Sequence, residues 1–200
     1  MTQEWYSQAG QDEWVYRLIG DHGFFVDLGA YDGVQTSNSL GLEQKGWTGI
    51  CVEANRDYFS ALVANRPKTL NVNVAVSDHV GELHFRDQWV TDDITAPLIP
   101  CLPISDILDR AFCPPKIDYL SLDIEGVEYD ALRAFNFSMY TIDLITVEHN
   151  LYCDGPFNKD RIFALLSANG FVRVVEDAPC LDAMYYGMPY EDWYRNAECM

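Results

Sequence analysis

The stretch Phe24-Phe-Val-Asp-Leu-Gly-Ala-Tyr-Asp-Gly33 constrains the fold more than any other part of this chain. A short apolar strand runs into Asp27, Gly29 and Gly33. A helical segment follows, then a second apolar strand, Gly49-Ile-Cys-Val-Glu-Ala-Asn55, that ends in the acid Glu53. Strand, glycine turn, helix, strand, acid is the order of a nucleoside-binding half of an α/β sheet. The two glycines let the backbone turn sharply, so its N–H groups can meet a carboxylate at the following helix N-terminus. An ordinary strand–turn–helix connection has the same local pattern, and the distal acid is what distinguishes the two.

The turn is not G-x-G-x-x-G, because Tyr31 stands where the second glycine belongs. A dinucleotide needs that glycine so the backbone can approach its pyrophosphate. S-adenosylmethionine has no pyrophosphate and is the cofactor the pattern fits. Asp27 and Asp32 supply acceptors for its ammonium group or the surrounding water. Glu53 is placed to take both ribose hydroxyls, although alone it reads equally as a solvated strand-end acid. Ala30, Tyr31 and Ser37 are the remaining expected contacts of the turn. Ala54, Asn55, Ala75 and Val76 fall at strand ends where adenine would lie.

Two further strand ends carry polar chemistry. Leu122-Asp-Ile-Glu-Gly-Val-Glu128 puts Asp123 at the carboxyl edge, where open α/β sheets bind ligands. Glu125 and Glu128 follow at a helix start, where acids can complement its dipole; Glu128 is read that way. Thr146-Val-Glu-His-Asn150 ends the next strand at the same edge. For any transfer that needs a base beside its acceptor, His149 is the first choice, with Glu148 and Asp123 next. A metal-assisted alternative has magnesium held by Asp123, Glu148 and Asn150, hard oxygen ligands that would acidify a diol. A protein that binds the cofactor without turnover and acts through a partner is the other alternative.

Net charge is −18 with a pI near 4.3. Such a field repels phosphate backbones and anionic membranes and attracts a sulfonium cation. Nucleic acid and membrane are therefore not expected partners. None of the six cysteines forms a C-x-x-C pair, so free thiols in a reducing compartment are expected. The polar N-terminus resembles no signal peptide, and no apolar run approaches the roughly 20 residues of a membrane span. These features lead us to expect a cytoplasmic protein; oligomeric state is not legible.

The periodicity predicts helices over 11–20, 36–45 with Thr36 as N-cap, 56–65, 104–111, 127–135 and 158–168. Strands are predicted over 24–28, 49–54, 70–76, 117–123 and 142–148, with a hairpin extension over 81–85. Residues 87–103 hold three prolines and read as a long loop, a candidate roof over the acceptor together with 150–157. Residues 171–176 and 181–186 are predicted as a closing strand pair at the far edge. The fold class is α/β: one domain over 1–200 with a Rossmann-like, mostly parallel sheet, an antiparallel last strand and helices on both faces. Residues 1–22 form a helical cap, and 187–200 a tail with no assignable structure.

Four segments together resemble the FkbM family of S-adenosylmethionine-dependent methyltransferases: 6–12, 25–38, 42–55 and 122–128. The resemblance covers nearly all of residues 5–186. It implies a class I methyltransferase fold and methylation of a hydroxyl on a small molecule or glycan. It also implies that the Gln8–Asp12 element, otherwise a polar helix start, folds over the methionine end of the cofactor. The family often has a lysine before its Asp-x-Glu-Gly motif; here Ser121-Leu122 occupy that stretch.

Overall fold

The structure is a computed structural model that describes residues 5–149, 151, 155–181 and 186–199. Its centre is a seven-stranded sheet. In chain order the strands are β1 (Phe24–Leu28), β2 (Thr48–Glu53), β3 (Leu70–Asn73), β8 (Lys116–Leu122), β9 (Thr141–Glu148), β10 (Phe171–Pro179) and β11 (Pro189–Asn196). Spatial order is β10-β11-β9-β8-β1-β2-β3. Five neighbours run parallel, and β11 is antiparallel to both β9 and β10. The chain winds outward from β1 to β3, then crosses to β8 and winds the other way. Strand order therefore reverses between β1 and β8, the place where sheets of this kind open a crevice for ligand.

Alternation along the strands explains the layers. Val26, Leu28, Ile50, Val52, Leu120 and Leu122 face one side and pack on α4 (Ile104–Arg110), α5 (Glu128–Ala134) and α6 (Pro156–Ala168). Phe25, Cys51 and Tyr119 face the other side with Val15, Leu42 and Leu62. Those three come from α1 (Gln11–Ile19), α2 (Leu40–Gln44) and α3 (Arg56–Asn65). No helix among the described residues is long and apolar enough to cross a membrane.

Three expectations need correction. The predicted strand 70–76 divides at Val74: β3 stays in the main sheet, and β4 (Ala75–Val76) joins a second, four-stranded sheet. That sheet also holds β5 (Gly81–Arg86), β6 (Trp89–Val90) and β7 (Leu98–Leu102), in the order β4-β7-β5-β6. The stretch 87–103 is therefore not a loop throughout. Pro100 sits in β7 opposite Glu82, but β4 pairs only with Cys101 and Leu102. On that side β7 is an edge at Pro100, where a missing amide is tolerated.

Second, the helix after the glycine turn starts at Leu40 with Ser39 as N-cap, and Thr36 has φ 53. Asp32 holds the intervening turn by accepting the Val34 and Gln35 amides at 2.9 and 2.8 Å. Third, the closing pair is β10 and β11, and β11 lies inside the expected tail. It inserts between β9 and β10 rather than adding at the edge. Residues 182–185 of the predicted last strand lie outside the described residues. Charged and aromatic residues mixed along 189–196 gave no period-two signal.

Candidate active site

The carboxyl ends of β1, β2, β8 and β9 open into a cavity of about 330 Å³. Gly29 N and Ala30 N both donate to Val52 O at 3.0 Å, and Asp123 N donates to Leu28 O at 3.0 Å. The turn is thus fastened to the strands on each side. Gly29 has φ 90, and a β-carbon there would come within 1.7 Å of Asp123 O. No side chain fits that contact, which is why glycine stands there.

Of the residues expected to hold cofactor, Gln8, Asp27, Gly29, Ala30, Tyr31, Ser37, Glu53, Ala54, Ala75, Val76 and Asp123 line this one cavity. Three do not. Asp32 braces the turn, as above. Gly33 packs at φ 79 against Leu62 and Arg66. Asn55 caps α3 by accepting the Asp57 and Tyr58 amides, and its Nδ2 donates to Asp87 O at 2.6 Å. That bond ties the β5–β6 hairpin over the end of β2.

Glu53 accepts the Tyr31 amide at 2.9 Å through one oxygen and the Asn55 amide at 2.7 Å through the other. Each oxygen keeps a lone pair for a further donor. Burial pushes its pKa up to about 7 against those two hydrogen bonds. Asp27 is buried and accepts Ser39 Oγ at 2.6 Å; burial raises it, while Ser39 and Arg66 pull it back.

At the other end of the cavity, Tyr190 Oη lies 2.8 Å from Gln8 Oε1 and 3.0 Å from Asp123 Oδ2. The N-terminal segment and β11 therefore meet over the end of β8. Glu148 also lines the cavity; burial, then the charge and hydrogen bond of Asp123, raise its pKa well above the usual range. Glu125 stands on the same wall and is pushed up to about 8 by burial and by Asp123, Glu128 and Glu53. Glu128 instead clasps its own loop, accepting the Ile124 and Gly126 amides.

A family model, the methyltransferase FkbM domain, matches residues 27–173. The chain belongs to the FkbM methyltransferase family. Its members are S-adenosylmethionine-dependent, and the lined cavity is the part of this FkbM domain that fits that cofactor. No curated protein matches the chain in sequence. Solved structures share the fold at low identity. A TehB-like S-adenosylmethionine-dependent methyltransferase from Corynebacterium glutamicum is 10% identical with TM-score 0.54, over 94% of this chain and 87% of that one. A provisionally named RNA methyltransferase from Pyrococcus horikoshii is 18% identical with TM-score 0.53, over 92% and 78%. Aeropyrum pernix fibrillarin, solved with natively bound S-adenosylmethionine, is 10% identical with TM-score 0.51, over 86% and 66%.

His149 does not join the cavity of the FkbM domain. It follows Glu148 in sequence, so its ring leaves the opposite face of the sheet and is 1% exposed. Its Nε2 lies 3.4 Å from Asp177 and 3.6 Å from Asp192. These carboxylates also hold Lys159 at 2.7 Å and Arg173 at 2.9 Å. The expected base thus belongs to an ion network joining β9, β10, β11 and α6.

Among the described residues, His149, Asp177 and Asp192 are also the one group whose donor atoms lie within 4.8 Å of one another, as a metal would need. However, His149 Nδ1 accepts the Leu151 amide at 3.3 Å, so the neutral ring carries its hydrogen on Nε2. A ligating ring has the reverse arrangement. Asn150 of the expected magnesium set lies outside the described residues. Asp123 and Glu148 are neighbours on the wall, but among the described residues no third His, Cys, Asp or Glu joins them within ligating reach. Nothing here supports magnesium.

Sequence reasoning overlooked Gln35, Asn38, Tyr58, Phe85, Gln88, Trp89, Glu125 and Tyr190, all on the cavity wall. Glu125 was visible in the Asp-x-Glu-Gly motif but was given no role in the site. Tyr190 lies in the stretch with no periodic signal.

Proposed function

We propose that this protein transfers a methyl group from S-adenosylmethionine to a hydroxyl of a small molecule or glycan. The observation that supports this reading is the pairing of Asp123 and Glu148 on the cavity wall. The acceptor oxygen attacks the methyl carbon in line. The carbon–sulfur bond breaks with its electrons staying on sulfur, which becomes a neutral thioether. The new carbon–oxygen bond leaves the hydroxyl proton to be removed. Asp123 and Glu148 stand together on the wall, and the pair takes that proton. This role passes to them from His149, which faces away.

The enzyme's other work is alignment. Glu53 holds the ribose, the Gly29–Tyr31 turn holds the carboxylate end, and Gln8 with Tyr190 closes over the reacting group. Calorimetry with S-adenosylhomocysteine and NAD tests the cofactor assignment; the first should bind and the second only much more weakly. Incubation with labelled methyl donor and a panel of hydroxyl compounds tests the reaction. No homocysteine-product binding and no labelled product would overturn the reading.

A further inference from the structure

At the end of the cavity nearest β2 and β4 the wall is mostly apolar. Val74, Ala75 and Val76 are buried there, where the chain passes from the main sheet into the second. Phe85 of β5 and Val90 of β6 are cross-strand partners and line the same cavity, with Trp89 beside them. The hairpin that carries them is pinned by Asn55 Nδ2, which donates to Asp87 O at 2.6 Å. Asn73 Nδ2 ties the ends of β2 and β3 together, donating to Glu53 O at 2.7 Å and to Ala54 O at 3.1 Å. Apolar wall, hairpin and the ribose acid Glu53 therefore belong to one end. Apolar walls suit the faces of a flat base, but the polar edge of that base also needs a partner.

Four carboxamide side chains line the cavity: Gln8, Gln35, Asn38 and Gln88. Three are committed within the protein. Gln8 meets Tyr190 Oη at 2.8 Å, Gln35 donates to Asp32 at 2.7 Å and Asn38 donates to Ser121 at 2.9 Å. The Gln88 carboxamide makes no hydrogen bond among the described residues. Gln88 is half-buried and follows Asp87 in the hairpin turn, between Phe85 and Trp89. It is thus the carboxamide at the apolar end, and it is the uncommitted one. Tyr58, another polar side chain on this wall, has its ring packed on Tyr31 at 4.2 Å. A carboxamide offers a donor and an acceptor side by side. Adenine presents the complement, an exocyclic amino group beside a ring nitrogen, and the two match through a pair of parallel hydrogen bonds.

We propose that Gln88 reads the adenine of the cofactor: its Oε1 accepts from the 6-amino group and its Nε2 donates to the neighbouring ring nitrogen. This inference rests on the S-adenosylmethionine reading and names the side chain that selects the base. It also gives the second sheet a task. The sheet carries Gln88 on a hairpin whose turn is fixed to the cap of α3, so the reading group is positioned by β2, α3 and β5 together. A purine without the 6-amino group leaves Oε1 without its donor, and an accessible acceptor that loses a bond on binding lowers affinity.

Two ligands that differ only at that group test it: S-adenosylhomocysteine, and its analogue with unsubstituted purine in place of adenine. Both keep the ring nitrogens, the ribose and the homocysteine, so their affinity ratio in calorimetry isolates the 6-amino contact. Wild-type protein should prefer S-adenosylhomocysteine at least about fivefold, the low end of a bidentate base contact. In Gln88→Ala that preference should fall at least about threefold, with the melting temperature unchanged. Gln88→Glu should keep the preference, because a carboxylate oxygen still accepts the amino hydrogens. Equal binding of the two ligands by the wild type would overturn the proposal. So would an unchanged preference in Gln88→Ala, which would give the amino group to another partner. Loss of the preference in Gln88→Glu, or loss of both ligands in Gln88→Ala, would make Gln88 a shape element of the wall and overturn it as well. Failure of S-adenosylhomocysteine to bind the wild type at all is a different result: it removes the cofactor reading first, and this proposal with it.

Discussion

Gly29 and Asp123 touch across the point where the strand order reverses: a β-carbon on Gly29 would lie 1.7 Å from the Asp123 carbonyl oxygen. The two strand ends can approach this closely only because one partner has no side chain. The contact fixes the spacing between the cofactor turn and the acceptor wall. Gly29→Ala must either move the turn or break the contact, and it also places a side chain at φ 90. The strain alone costs about 1–3 kcal/mol. We expect the variant to melt several degrees lower and to lose measurable S-adenosylhomocysteine binding. A variant with wild-type affinity would show that the turn does not meet the cofactor.

Glu53 gives a graded test of the same pocket. Both its oxygens are braced by backbone amides, so its carboxylate is held in place before cofactor arrives. Glu53→Ala should weaken S-adenosylhomocysteine binding by about 1.5–3 kcal/mol, the scale of a charge-assisted hydrogen bond. Its pKa near 7 adds a pH signature. Affinity should rise as pH increases through 7, where the carboxylate forms, and that dependence should be absent in the variant. Equal affinities in calorimetry would sink the ribose assignment.

Stability should run the other way with pH. Glu53 and Glu128 are raised to about 7, and Glu125 and Glu191 to about 8, in each case chiefly by burial. A folded pKa above the unfolded one means the folded state binds more protons between the two values. Stability is then full below about pH 4.5 and declines as pH rises through 7–8. Ligand-free protein should therefore melt at progressively lower temperature from pH 5 to pH 8. Asp192, lowered to about 2, acts in the opposite sense but only near that pH. A melting temperature that rises over the range would mean these acids are charged in the folded protein.

How much of this was legible beforehand depends on what each residue answers to. Phe24–Leu28 and Thr48–Glu53 are buried strands bounded by glycine and acid, and local pattern places them within one residue. The cofactor wall follows directly, since it is made from those strand ends. The second sheet was not legible, because prolines hid β7 and its strands are stabilised by pairing, not by periodicity. β11 was missed because Glu191 and Asp192 break its apolar pattern. Their partners, Trp193 for Glu191 and Arg173 for Asp192, come from β11 itself and from β10. Side-chain direction was the deepest failure. Glu148 and His149 are adjacent in sequence, and a strand sends adjacent side chains to opposite faces.

The β5–β6 hairpin tests whether the second sheet serves the site. Phe85, Gln88, Trp89 and Val90 line the cavity, and Asn55 pins the hairpin turn at Asp87. Trp89 remains 47% exposed, so a ligand has aromatic surface left to cover. Trp89→Ala should weaken cofactor or acceptor binding by about 0.5–1.5 kcal/mol, the scale of one aromatic contact. Amide hydrogen exchange over 85–90 should slow when both ligands are bound. Unchanged exchange at saturation would make the hairpin a static surface element.

The chemistry itself is decided by comparing two neighbours. Glu148 faces the cavity beside Asp123, and His149 faces the ion network of Asp177, Asp192, Lys159 and Arg173. If the carboxyl pair takes the acceptor's proton, Glu148→Gln should lower turnover roughly 10²–10⁴-fold while cofactor affinity changes little. His149→Gln removes a buried ring from a packed network, so it should lower melting temperature. The surviving folded protein should keep turnover close to wild type, measured per mole of folded enzyme below its melting point. Chelator should leave both the wild type and His149→Gln unaffected, since the reaction is assigned to carboxyl groups alone. The two variants thus exchange outcomes under the two assignments: a stable, inactive His149→Gln beside an active Glu148→Gln would return the base to His149 and require the loop after β9 to rearrange when acceptor binds.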